Sequence, residues 1–154
     1  MNEIQIHAAR YDDPAVQKLV AEALAELSAR YGDSGDDTPV AVDDFDPPDG
    51  GFFVAERDGE LIGCAGWRRC RRGGDAELKR MFTPATARRR GVARRLLATI
   101  EEAARAAGCR RLILETGDRQ PEAIALYAAA GYHRIEDFGY YAGSAGVLSF
   151  ARNL

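Results

Sequence analysis

One stretch limits this chain more than any other: Glu77 to Arg95, ELKRMFTPATARRRGVARR. Glu77–Thr83 reads as a strand, and Pro84 stops it because proline cannot donate to a ladder. After a short loop Arg88-Arg89-Arg90-Gly91-Val92-Ala93 opens a helix that continues through RRLLATIEEAARAAG. The next apolar run, Arg111 to Thr116, returns as a strand, so the unit is a strand–helix–strand crossover with parallel pairing. A helix start leaves backbone N–H groups unpaired and carries the positive end of the dipole. Small residues there, Gly91 and Ala93, let a ligand approach the backbone. Arg88, Arg89 and Arg90 add fixed positive charge. Together these features read as a phosphate-binding site.

The rest of the chain arranges itself around this unit. Glu3 to Ala8 alternates polar and apolar residues, as a first strand would; His7 is read as a residue of that strand's face. Asp12 or Asp13 can cap a helix with Pro14 at its first position. Val16, Leu19, Val20, Ala23, Leu24 and Leu27 then form one apolar face, and Gly32 ends the helix. Asp33 to Gly51 is a long loop rich in Asp, Gly and Pro, with room for a short helical turn. Phe52–Glu56 and Leu61–Trp67 are strands joined by the hairpin turn Asp58-Gly59. Asp75 to Thr83 completes an antiparallel meander before the long helix, which Gly108 closes. Pro121 opens a further helix that Gly131 ends. Tyr132–Ile135 and Val147–Ala151 are the last strands.

With 154 residues and no linker or internal repeat, residues 1–154 read as a single domain large enough to bury a core. No apolar run reaches the roughly 18–20 residues that span a bilayer. MNEIQIHAARYDD lacks the basic-then-apolar layout of a secretory signal. The default expectation is a cytoplasmic protein with no membrane partner. Cys64, Cys70 and Cys109 are too few for a disulfide framework, and with His7 and His133 they match no zinc spacing. The net charge of -3 conceals a division: seven aspartates and no Lys or Arg between Tyr31 and Gly50, but eleven Lys or Arg between Arg68 and Arg95. The acidic pI of about 5.5 speaks against a general nucleic-acid binder. A local basic patch suits a small polyanion better.

The spacing Arg88-x-x-Gly91-x-Ala93 between a strand and a helix, with LETGDRQPEAIALYAAAGY downstream, resembles the pyrophosphate loop and following segment of the GCN5-related N-acetyltransferases, the GNAT superfamily. The likeness covers roughly residues 52 to 141 and points to a small bacterial-type member. It implies an α/β (α+β) fold: a mixed, mostly antiparallel central sheet flanked by helices, with a central parallel strand pair splayed for the cofactor. It implies acetyl-CoA as co-substrate, its pantetheine arm on the strand end Met81, Phe82 and Thr83. Its pyrophosphate would lie on Arg88, Arg89, Arg90, Gly91, Val92, Ala93 and Arg94. Gln120 stands where many members carry a cofactor-contacting Asn. Two residues depart from the pattern. Arg89 replaces a loop glycine, with the expectation of a right-handed helical backbone there, and Pro84 comes one residue early.

Transfer of an acetyl group from a thioester to an amine needs a positioned thioester, a stabilised oxyanion, a base for the ammonium and an acid for the leaving thiolate. Tyr127, in AIALYAAAGY, resembles the family's acid; by its residue pattern alone it is a core tyrosine on a helix. Glu77, four residues before Met81, resembles the family's general-base glutamate, and as a residue it is equally a strand carboxylate paired with Lys79 or an arginine. Glu115 is the second candidate for the base and Asp118 the third. Tyr140 and Tyr141 are set beside the acceptor pocket. His133 and Trp67 are structural. No cysteine is placed as a nucleophile, so the amine attacks directly in a ternary complex. The acceptor is a small-molecule or peptide amine, and the acidic loop favours a cationic small molecule. Homodimers are frequent among such proteins. Two other readings stand beside this one: a non-catalytic acyl-CoA-binding module, and a nucleic-acid binder using Arg71 and Arg72 with Arg88 to Arg90.

Overall fold

In the computed structural model, which describes residues 3–71 and 73–154, the chain folds as a seven-stranded sheet between helices. In chain order the elements are β1 (Gln5–Ala8), α1 (Pro14–Tyr31), a 3-10 turn (Val42–Phe45), β2 (Gly50–Arg57), β3 (Glu60–Arg69) and β4 (Asp75–Phe82). A second 3-10 turn (Ala85–Ala87), α2 (Val92–Ala106), β5 (Arg111–Gly117), α3 (Pro121–Ala129), β6 (His133–Arg134) and β7 (Val147–Asn153) follow. Arg72, named above as a nucleic-acid contact, lies outside the described residues.

Local chemistry sets the boundaries. The Asp13 carboxylate accepts the Ala15 N–H at 2.9 Å, Pro14 takes the first helical position, and Gly32 at φ 72° ends α1. Asp58 and Gly59 both have positive φ, 55° and 78°, the backbone that joins β2 to β3 in a two-residue hairpin.

The strand order is β1-β2-β3-β4-β5-β7-β6, antiparallel throughout except between β4 and β5. Side-chain alternation on β2 feeds two cores. Phe52 and Val54 pack with Val16, Leu19, Val20 and Phe45 beneath α1. On the other face Ala55 joins Trp67, Leu96, Leu97, Ile100 and Leu112 beneath α2. Each fully buried Leu or Ile there contributes about 1.5–3 kcal/mol of hydrophobic stabilisation.

Two irregularities in β4 create the space between the layers. Its parallel pairing with β5 covers only Asp75↔Arg111, Ala76↔Leu112 and Glu77↔Ile113. Beyond Glu77 the strands diverge, and β4 from Leu78 to Phe82 has no partner on that side. On its other side the ladder passes from Gly66↔Lys79 to Cys64↔Phe82, so two steps of β3 span three of β4. The extra residue falls at Arg80, whose φ of 56° makes a bulge.

Arg89 differs from expectation. Its backbone is left-handed at φ 65°, and α2 starts only at Val92, after Gly91 at φ 76°. Beside it the Arg88 side chain turns back to bond the Thr83 carbonyl and Glu26. The chain then reverses into α2 through two left-handed residues. Such alternation gathers neighbouring N–H groups into an anion-binding concavity.

Candidate active site

The divergence of β4 from β5 opens a cavity of about 340 Å³. Leu78 to Met81 form one wall and Leu114 to Gly117 the other. Ala23, Leu24, Leu27 and Tyr31 of α1 roof it, and Gln120, Tyr127 and Tyr141 reach in from the far side. Leu24 and Leu27 thus serve this space, while Val16, Leu19 and Val20 of the same helix face are buried in the core. The Tyr31 ring sits so close to Gly117 that a Cβ there would collide with its hydroxyl.

Tyr127 enters from α3 and is buried among Tyr132 and Phe150, with ring centroids 5.7 Å and 6.2 Å away. Its only hydrogen-bond partner among the described residues is the Met81 thioether at 3.8 Å, a weak acceptor. Burial raises its pKa above the ordinary phenol value, so the group keeps its proton at neutral pH.

The carboxylates separate clearly. Glu77 lies where β4 and β5 are still paired and does not line the cavity. Arg68 Nε binds it at 3.2 Å, and the same guanidinium holds Asp44 at 3.0 Å. Glu115 does line the cavity: its Oε2 accepts the Tyr141 N–H at 3.1 Å, and its Oε1 is buried without a hydrogen-bond partner. Burial raises its pKa above the ordinary carboxylate range, against the opposing pull of that N–H and of Lys79. Gly139 makes this arrangement possible, because a Cβ there would run into the Glu115 carboxylate. Asp118 stands outside the lining, its carboxylate against Gly146.

The acidic loop does not present a free negative rim. Arg10 pairs with Asp46 at 3.6 Å, Arg69 with Asp49 at 2.9 Å and Arg68 with Asp44. Asp36 turns inward and binds Arg80 at 2.5 Å and Lys79 at 3.5 Å. These pairs weaken the attraction for a cationic acceptor that the seven aspartates suggested, because cations already hold Asp36, Asp44, Asp46 and Asp49. The same pairs occupy Arg68, Arg69, Lys79 and Arg80 of the basic half of the chain. Sequence reasoning singled out neither Asp36 nor Tyr31, and it gave Lys79 no role of its own. The Lys79-Arg80 pair within a strand ending at Pro84 was the available signal. Tyr141 reaches the cavity and donates its hydroxyl to Asp36 Oδ1 at 3.0 Å, whereas Tyr140 points outward and is 55% exposed.

Beyond the end of β4, Thr83 Oγ1 is buried without a hydrogen-bond partner. The Arg88 guanidinium is occupied by Glu26, at 2.7 and 2.6 Å, and by Thr83 O at 3.0 Å. Arg89, Arg90 and Arg94 are exposed around the N-terminus of α2, where Val92 is buried and Ala93 half-buried. Gln120 stands at the N-terminus of α3, 3.5 Å from the Tyr31 hydroxyl.

This combination, a half-open parallel strand pair aimed at a glycine-containing helix start, agrees with sequence comparison. Residues 17–132 match the sequence profile of the Acetyltransferase (GNAT) family. The chain belongs to the GNAT family. It is 39% identical over 129 residues to the IAA acetyltransferase of Azospirillum brasilense, covering 82% of this chain and 84% of that protein. The crystal structure of a Klebsiella pneumoniae protein assigned as an acyl-CoA N-acyltransferase superposes with a TM-score of 0.78 at 28% identity, over 100% of this chain and 98% of that one. The PaiA N-acetyltransferase of Thermoplasma acidophilum, solved in complex with coenzyme A, shares the fold at TM-score 0.77 and 14% identity, over 99% of each chain.

As a GNAT member the chain is an N-acetyltransferase with acetyl-CoA as co-substrate. The residues present fit that molecule: an unpaired strand edge, an orphan hydroxyl at Thr83 and a cationic helix start follow one another along the chain.

Proposed function

We propose that the cleft between β4, β5 and α1 takes a small-molecule amine, with Glu115 receiving the ammonium proton and Tyr127 supplying a proton to the leaving sulfur. Acetyl-CoA supplies the activated acyl thioester; the chain supplies position and proton handling. Met81, Phe82 and Thr83 would hold the pantetheine arm, and Arg89, Arg90, Gly91, Val92, Ala93 and Arg94 the pyrophosphate. Arg88 shapes that loop through Glu26, and Gln120 borders the pantetheine path.

One observation carries the reading. Tyr127 Oη and Glu115 Oε1 both belong to cavity-lining residues, and neither has a strong hydrogen-bond partner. A buried polar atom without a partner is costly unless a ligand completes it. Glu115 takes precedence over Glu77 as the base, since Glu77 is held by Arg68 away from the cavity. Direct attack by the amine is favoured because the thiols are unsuited to nucleophilic work. Cys64 is fully buried and pushed up to about 12, and neither Cys70 nor Cys109 lines the cavity.

The test is the pH dependence of kcat/KM. Glu115→Gln is expected to flatten the acidic limb and lower turnover by about 10²–10⁴-fold, the usual worth of a general base. If Glu77→Gln does this and Glu115→Gln does not, the assignment is reversed. Three free thiols suit a reducing compartment, so the same reading carries a cytoplasmic setting. A homodimer would use the exposed Phe138 and Tyr140 surface, and sedimentation at assay concentrations decides it.

A further inference from the structure

The cleft holds a second unsatisfied group, a cation. Lys79 projects from β4 into the cavity wall with its side chain only 7% exposed. Its one ion-pair partner among the described residues is Asp36 Oδ2 at 3.5 Å, with no hydrogen bond formed. Asp36 has little left to give. Its Oδ2 is taken at 2.5 Å by Arg80, while Oδ1 accepts the Thr38 N–H, the Thr38 hydroxyl and the Tyr141 hydroxyl. Arg80, by contrast, is fully engaged, with Thr38 O at 3.1 Å and the Tyr11 hydroxyl at 3.4 Å completing its fork. One carboxylate is therefore shared between two buried cations, and Arg80 has the better part of it. Glu77, the other carboxylate on the same strand face, is held by Arg68. Burial draws the Lys79 pKa below its usual value against the pull of Asp36 and Glu77, and a buried amine so poorly compensated is a site for an anion, whose charge would favour the ammonium form.

Glu115 lines the same cavity, and its Oε1, packed beside Gly139, is equally unpartnered, with opposite charge. We infer that the acceptor is an amino acid, its carboxylate bound by Lys79 and its amine directed to Glu115, with an apolar side chain against Leu24 and Leu27. This rests on the proposed acceptor site above and names the substrate class that fills it. A zwitterion leaves the charge of the deep cleft unchanged, because Lys79 and Arg80 balance Asp36 and Glu115, and it supplies one partner to each orphan group. A simple amine would satisfy Glu115 and leave Lys79 as it is. The apolar wall contributed by α1 disfavours a second charge on the acceptor side chain.

The experiment is an acceptor series assayed by thiol release from acetyl-CoA. It compares L-leucine and L-phenylalanine with leucinamide and phenylalaninamide, and with isoamylamine and phenethylamine. The acids are expected to exceed the amides and amines at least tenfold in kcat/KM. Lys79→Met should bring the acids down to the level of the amides, and Lys79→Arg should restore part of the difference. Amides or amines used as well as the acids by the unaltered chain would overturn the inference. So would equal losses for acids and amides in Lys79→Met. Should Lys79→Met fail to fold, the unaltered chain and Lys79→Arg still decide. If acetyl-CoA stabilises the protein against heat but only amines or peptide N-termini react, the amino-acid class is wrong and the acyltransferase site stands. If acetyl-CoA does not stabilise it, the underlying site assignment is at fault.

Discussion

Tyr127 and Glu115 show how differently single residues can be read from sequence. Tyr127 was legible because a helix tyrosine in AIALYAAAGY matches a family pattern, and its burial between Tyr132 and Phe150 follows from ordinary helix spacing. Tyr127→Phe is expected to lower kcat by about 10²-fold or more while leaving acetyl-CoA affinity and melting temperature nearly unchanged, since the hydroxyl has only a thioether partner. Steady-state kinetics beside calorimetric binding checks this. Glu115 was harder to rank, because no local pattern says that β5 separates from β4 only after Ile113. Glu77, on β4 opposite Ile113, is still within the ladder. The raised pKa of Glu115 also has a consequence for stability. An elevated folded value means that folding is disfavoured as pH rises from the unfolded value of about 4.3 through the folded one. Glu115→Gln should therefore melt higher than the parent at pH 7, and the gain should vanish towards pH 4. A melting series across that range reads both ends.

At the scale of elements, the strand was placed within a residue or two, but the helix expected to open at Arg88 starts only at Val92, and the shape of the loop between them was not anticipated. Arg88 looked like a phosphate ligand because it carries charge at the right spacing. Its side chain ties the loop to α1, through a Glu26 whose importance depends on a helix packed from elsewhere in the sequence. The left-handed Arg89 sits next to that tie, and no rule of spacing anticipates it. Partly exposed pairs of this kind contribute up to about 1 kcal/mol. Glu26→Gln, although it lies on α1, should weaken coenzyme A binding about fivefold by releasing the loop, a free-energy change of about 1 kcal/mol. Arg88→Ala should do the same, and the double variant should be no worse than either, because both remove one shared interaction. Additive losses in a titration would show instead that Arg88 contacts the phosphates itself.

For the whole molecule, hydrophobic periodicity and turn chemistry were enough to order every strand and helix, because each element repeats its own signal along its length. What they could not convey was the balance of charge between distant segments. The acidic loop and the basic strands look like two opposed surfaces in the sequence, but in the fold Asp36, Asp44 and Asp49 are counterions of Arg80, Arg68 and Arg69. A saturating ligand at 100 times its Kd adds about 2.7 kcal/mol. For a chain of this length each kcal/mol raises the melting temperature by about 2–4 °C. Acetyl-CoA and CoA should each shift it accordingly, and ATP much less. The free flank of β4 has one more consequence. From Leu78 to Phe82 the strand is an edge enclosed within a sheet rather than at its border. Amide protons directed into that gap should exchange with deuterated solvent orders of magnitude faster than those facing β3, and slow sharply when the gap is filled. Edges of this kind also invite foreign strands, so the enzyme is most exposed to self-association when starved of co-substrate, and abundance of the small molecule acts as its chaperone.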